Sequence, residues 1–195
     1  MSSIVIAGNT SGAITIAAPA EAGLNTLTLP ASTGTVALTS TAVQTHLTTT
    51  SSQSNTASVR TNILGLNATI TPSTTSKRVK ITIRWNGEHS NTSAHNQVFG
   101  IKRDTTDIGN PAASGSLTVG MAIVAMGYYA AEASTTPDSA TYIYIDSPAT
   151  TSATTYHATY LNVQGGTLYN QRTVNDADNT SHERLTSNII LEEID

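Results

Sequence analysis

Apolar residues recur in i, i+2 pairs through the first part of the chain: Ile4 and Ile6, Ile14 and Ile16, Leu27 and Leu29, Val36 and Leu38. Period 2 turns alternate side chains to one face of an extended chain, so each pair predicts a short strand. Gly8-Asn9, Ser11-Gly12, Ala22-Gly23, Pro30 and Ser32-Thr33-Gly34 separate the pairs and are turn formers. Each pair contributes about 3 to 5 kcal/mol of apolar burial before conformational entropy is subtracted, too little for such strands to stand alone. Residues 1–40 are therefore expected to form a β anchor that packs against copies of itself or into a socket on another protein. Residues 41–59 are polar and nearly free of charge, and are expected to be a connector with one helical turn between Val43 and Leu47, which are spaced i, i+4.

From Arg60 onward the strand signals lengthen. Residues 63–70, 79–85, 97–103, 117–126, 142–146, 154–163, 167–169 and 185–191 are the candidates. Within Tyr142-Ile143-Tyr144-Ile145 the alternation sends tyrosines to one face and isoleucines to the other, and Val79, Ile81 and Ile83 share a face likewise. Met121, Val124 and Ala125 would also suit a short helix, but Gly120 and Gly127 favour a strand or bulge there. Thr71-Pro72-Ser73, Ile108-Gly109-Asn110-Pro111 and Gln164-Gly165-Gly166 punctuate the run. The prediction is an all-β chain with a jelly-roll-like β-sandwich head over residues 60–195.

Composition narrows the function. Cysteine is absent, which removes disulfides, thiolate zinc sites and thiol nucleophiles. Nine Lys plus Arg against thirteen Asp plus Glu, a formal charge of -4, give no basic patch to displace counterions from nucleic acid. Lys77-Arg78-Val79-Lys80, the densest basic run, reads as a solvated strand start. No apolar run is long enough to span a membrane, and Met1-Ser2-Ser3 does not open a signal peptide, so a soluble chain with no secretion signal at its own N-terminus is expected.

Several stretches carry a family resemblance. Ser11-Gly12-Ala13-Ile14-Thr15-Ile16, Ala17-Ala18-Pro19-Ala20, Asn25-Thr26-Leu27-Thr28-Leu29-Pro30 and Thr33-Gly34-Thr35-Val36 resemble the N-terminal segment of tail-fibre-like proteins of phages, including phages of cyanobacteria. Phe99-Gly100-Ile101-Lys102-Arg103-Asp104, the run from Ile145-Asp146-Ser147-Pro148 to Thr154-Thr155-Tyr156, and the closing Thr186-Ser187-Asn188-Ile189-Ile190-Leu191-Glu192-Glu193-Ile194 are similar to the C-terminal domain of those proteins. The resemblance implies a non-enzymatic virion protein, an intertwined homotrimer. Its residues 1–59 would join other tail, baseplate or capsid proteins, and its head would meet a host surface glycan or protein. The short connector implies a stubby fibre. The alternative is a capsid decoration or baseplate protein that stabilises the particle without binding a receptor. A depolymerase is disfavoured because the chain shows no long β-helical repeat.

Candidate chemistry is sparse. His89 and His95 flank a polar segment at a spacing that matches no helical metal motif, and exposed loop positions are expected for both. Asn175-Asp176-Ala177-Asp178-Asn179 alternates oxygen ligands but lacks the glycine and distant glutamate of a calcium loop, so a solvated turn is expected. Asp104 and Asp107 border an expected turn at Thr105-Thr106. Glu88, Glu132 and Asp138 have no sequence partner that marks a glycosidase, and no Gly-x-Ser-x-Gly elbow occurs. No metal, cofactor or catalytic residue is predicted. Trp85, Tyr128, Tyr129 and Tyr156 suit the head core or a trimer interface, and alternatively contact with sugars. Polar turn-rich segments 86–96, 128–139 and 173–182 are the expected recognition loops. His89, His95, Tyr128 and Tyr129 are the candidate receptor-binding residues.

Overall fold

The computed structural model describes residues 3–7, 13–17, 41–90, 97–124 and 135–195. The chain divides into two units, Met1–Leu38 and Thr39–Asp195. Among the described residues every regular element is a strand and every pairing is antiparallel. Among the described residues no helix is long and apolar enough to cross a membrane. In the first unit β1 (Ser3–Ala7) pairs with β2 (Ala13–Ala17), and the register sets Ile4 opposite Ile16 and Ile6 opposite Ile14. The strands expected around Leu27–Leu29 and Val36–Leu38 lie outside the described residues.

The second unit consists of two antiparallel sheets. One is four-stranded, in the order β5 (Thr61–Ile70), β10 (Thr154–Asn162), β7 (Gln97–Arg103), β8 (Thr106–Ile108). The other is six-stranded and centres on β6 (Arg78–His89). One edge of β6 pairs with β9 (Asp138–Asp146); the other pairs first with β12 (Ser187–Ile194) and then with β11 (Gly166–Asn170). Outside these run β3 (Ala42–Leu47) on β12 and β4 (Ser51–Asn55) on β11.

Period 2 decides which side chains meet between the sheets. Val79, Ile81, Ile83 and Trp85 of β6, Ala140 and Tyr142 of β9, and Ile189 and Leu191 of β12 face Ile63, Leu66, Phe99, Ile101, Tyr156 and Tyr160, forming one buried cluster. Phe99 is its hub, with ring centroids 4.9 Å from Trp85 and 5.2 Å from Tyr160. As the alternation predicts, Tyr142 is inside while Ile143 and Ile145 are outside. In β5 the alternation slips. Ile63 and Leu66 are both buried because Gly65, at φ +74°, supplies a bulge opposite β10.

Four sequence expectations are corrected. Residues 41–59 are not a helical connector, since β3 and β4 belong to the large sheet and Val43 and Leu47 pack against the core. Residues 117–124 are irregular apart from a bridge between Ala122 and Phe99. Arg60 holds that segment by donating to the Val119 carbonyl at 2.5 Å, and Gly120 lies so close to Val98 that a Cβ would come within 2.5 Å of the valine Cβ. The turn near Thr105 is two residues long, Asp104 taking φ +52°, and Thr106 already belongs to β8. Strand β6 runs on through Asn86-Gly87 to His89, where the sequence reads as a loop.

The link between β5 and β6 is fastened at Glu193, whose carboxylate accepts the Ser73 N–H at 2.5 Å and its hydroxyl at 2.7 Å. These bonds hold the Glu193 carboxyl below its ordinary 4.5. A depressed carboxylate pKa adds stability above the unfolded value and loses it as pH falls through the folded one. The urea midpoint should therefore be level from neutral pH to about 5 and decline below 4.5. Glu193→Gln should make that decline shallower; an equally steep acid limb in the variant would assign the effect to other carboxylates.

Candidate functional site

Arg103, Asp146 and Tyr156 meet at one joint of the sandwich. Arg103 ends β7, Asp146 ends β9 and Tyr156 lies in β10. Arg103 Nη1 donates to the two Asp146 oxygens at 3.2 and 2.9 Å, and the Tyr156 hydroxyl donates to Oδ2 at 2.7 Å. Beside it, Asp104 Oδ1 accepts the Thr155 N–H at 3.0 Å while Asp104 N–H donates to the Thr155 carbonyl at 2.7 Å. Burial first, and the hydrogen bond to Asp146 second, push the Tyr156 phenol well above its usual range. Held by a guanidinium and a phenol from the opposite sheet, the Asp146 carboxylate is a fastening between the two sheets.

Of the expected receptor-binding residues, His95, Tyr128 and Tyr129 lie outside the described residues. His89 is placed differently from expectation. It ends β6 instead of sitting in a loop, is 7% exposed, and its ring lies 5.6 Å from that of Tyr160. Trp85 and Tyr156 are core residues. His157 is half-buried on the outer side of the four-stranded sheet, in register with Asn67 and Lys102, and its partial burial lowers its pKa.

Around His89 lies a buried polar end of the sandwich that no sequence pattern announced. Tyr160 donates to Gln97 Oε1 at 2.9 Å, Asn162 Nδ2 donates to the Tyr160 oxygen at 3.2 Å, and Trp85 Nε1 donates to Asn170 Oδ1 at 2.8 Å. Gln97 and Asn162 stand in expected strands, but composition does not say which partners will satisfy a buried amide.

One expected recognition loop, residues 173–182, is described, between β11 and β12. Its base is fixed by Glu88, which accepts the Val174 N–H at 2.6 Å, and by Arg172, stacked 5.0 Å from the centre of the Tyr169 ring. Arg184 grips Asp176 with two hydrogen bonds, of 3.1 and 2.7 Å, and holds its carboxyl below the usual aspartate range. Asn179 Oδ1 accepts Ser181 N–H at 2.9 Å and faces His182 Nδ1 at 2.7 Å. Asp176, Asp178, Asn179, His182 and Arg184 line an open depression of about 510 Å³. A hard cation here would have to displace a guanidinium from Asp176 and the local donors from Asn179. Among the described residues no group of three or more His, Asp or Glu side chains could hold a metal. What the depression offers is a mixed set of donors and acceptors on a pinned loop, suited to a polyhydroxylated or polar ligand. No family model and no curated protein matches the chain.

Proposed function

We propose that this chain is a structural protein of a bacteriophage particle, a short trimeric tail fibre with a jelly-roll-like head. Residues 1–40 attach it to the tail or baseplate, and the far loops of the head touch the host surface. The observation that supports this reading is the joint at Asp146: two separated stretches that resemble the C-terminal domain of phage tail-fibre-like proteins supply its members, Arg103 from one and Asp146 with Tyr156 from the other. A likeness spread over separated stretches has physical content when those stretches fasten one another, because each then constrains the others. A sandwich fastened in this way also leaves its loops free to serve recognition.

His89 is not a contact residue in this reading, since a side chain 7% exposed has little surface to offer. The contact set becomes Asp178, Asn179 and His182 in the described loop, together with His95, Tyr128 and Tyr129. Weak contacts with a surface glycan are multiplied in a trimer when the receptor is dense. Phage carrying Asn179→Ala with His182→Ala should adsorb to host cells about tenfold more slowly, as expected when avidity multiplies a modest loss per site, with the thermal midpoint of the purified chain unchanged. Unaltered adsorption by particles that contain the variant would reject the receptor role in favour of decoration.

A further inference from the structure

In the depression on loop 173–182 the fold already uses some polar atoms and leaves others to a ligand. Asp176 is used. Arg184 takes both of its oxygens, through Nε at 3.1 Å and Nη2 at 2.7 Å, and Arg172 Nε stands 3.6 Å from Oδ2. Asn179 Oδ1 is used as well. The Ser181 N–H donates to it at 2.9 Å, which identifies this atom as the oxygen, so His182 Nδ1, 2.7 Å away, is the donor of that contact. His182 thereby holds the Asn179 amide in one orientation, and its own Nε2 is enclosed.

Three side-chain groups on the wall of the depression remain open among the described residues. No donor reaches the Asp178 carboxylate, no acceptor takes Asn179 Nδ2, and the side-on grip of Arg184 on Asp176 leaves Nη1 unused. Asp178 and Asn179 are exposed, and the Arg184 side chain is 64% exposed. The guanidinium is held above its ordinary pKa first by its hydrogen bond to Asp176, then by the charge of Asp176, and also by the charge of Asp178, which lies near it without bonding.

These groups make opposite demands. The carboxylate requires donors, whereas the amide nitrogen and the guanidinium require acceptors. An ammonium group would satisfy Asp178 and leave both nitrogens unmet. A carboxylate, sulfate or phosphate would set its charge beside Asp178, on a chain of formal charge -4, while the guanidinium that could receive it is already paired with Asp176. A hydroxyl both donates and accepts, and two hydroxyls on neighbouring carbons offer their protons to the paired oxygens of one carboxylate while their own oxygens stay open to N–H groups. We infer that the depression binds an uncharged sugar through a vicinal diol, with Asp178 accepting from the hydroxyls and Asn179 Nδ2 and Arg184 Nη1 donating to their oxygens. The inference rests on the reading of this loop as a receptor contact and adds the class of ligand, the neutral residues of a glycan in preference to its acidic ones.

The full chain, labelled with nitrogen-15, is titrated with the methyl glycosides of glucose, galactose and mannose, which between them present vicinal diols in both relative orientations. At least one should shift the amide signals of Asp178 and Asn179 and the Arg184 Nε–H signal saturably. Asp178→Asn should weaken that binding about tenfold, the loss expected for hydrogen bonds to a charged acceptor. Glu183→Gln, which removes an exposed carboxylate that does not line the depression, should leave it unchanged. The methyl glycoside of glucuronic acid should bind more weakly than that of glucose, and tetrahydropyran, the ring without hydroxyls, should shift nothing. Binding that survives Asp178→Asn would overturn the diol anchor, and a glucuronide that binds as tightly as the glucoside would overturn the neutral class. If no glycoside shifts these signals the inference fails, and adsorption of the phage carrying Asn179→Ala with His182→Ala separates the two readings: slowed adsorption would keep the receptor role with another ligand, and unaltered adsorption would remove both.

Discussion

Gly87→Ala should destabilise the protein by about 3 kcal/mol or more, among the larger effects of a single substitution. Gly87 lies in β6 opposite Asn170, where β11 crosses closest. A Cβ there would collide with the Tyr169 carbonyl and come within 2.7 Å of Trp85 Cζ2. The carbonyl is part of a ladder and the indole is packed on Phe99, so neither can move alone. At about 2 to 4 °C per kcal/mol, the thermal midpoint should drop by roughly 6 to 12 °C. Gly115→Ala is the comparison, because its Cβ would meet nothing within 4 Å and only the left-handed backbone at φ +58° resists it. That strain costs about 1 to 2 kcal/mol. Equal losses in the two variants would show that contact at Gly87 is not what forbids a side chain.

The second large effect is expected at Asp146. Asp146→Ala strands the Tyr156 hydroxyl, in a fully buried residue, and removes the acceptor of Arg103, whose side chain is 31% exposed. Because water reaches the guanidinium, the loss should be about 2 to 4 kcal/mol, below that of a wholly buried broken pair. Tyr156→Phe leaves the ion pair intact and should cost only about 1 kcal/mol. Chemical unfolding of both variants separates these outcomes. If the two lose equally, the ion pair contributes nothing and the phenol alone fastens the joint.

Much of the head was legible because its strands are amphipathic. Val79-Ile81-Ile83-Trp85, Tyr142 against Ile143, and Ile189 with Leu191 alternate as a sheet with one buried face must, and period 2 also fixed which side faces the core. What stayed hidden follows from the same rule. Val43 and Leu47 are four apart, a spacing shared by one face of a helix and one face of a strand, so the interval could not choose between them. Strand β4, Ser51–Asn55, has no apolar residue at all; it extends because the β11 ladder offers its backbone partners from more than a hundred residues away. Asn86-Gly87 is a strong turn dipeptide by local preference. Here the glycine instead serves close approach by β11, and Asn86 is satisfied across the junction where β11 hands over to β12, its N–H donating to Ser187 Oγ at 2.9 Å and its carbonyl accepting the Gln171 N–H at 2.9 Å.

The candidate site divides in the same way. Loop 173–182 was visible as a polar run rich in Asp and Asn, and it is a loop. Its pinning by Glu88, Arg172 and Arg184 was not visible, nor was the burial of His89, because both depend on which strand end arrives beside them. By itself, then, the sequence determined the all-β class, the core faces of the strongly alternating strands and the absence of cysteine chemistry. These follow from local period and composition. Only the tertiary structure decided which polar segments become strands, which histidine is buried and which isoleucines stay outside. Those outcomes depend on long-range backbone pairing, which can draw any extended segment into a sheet whatever its side chains.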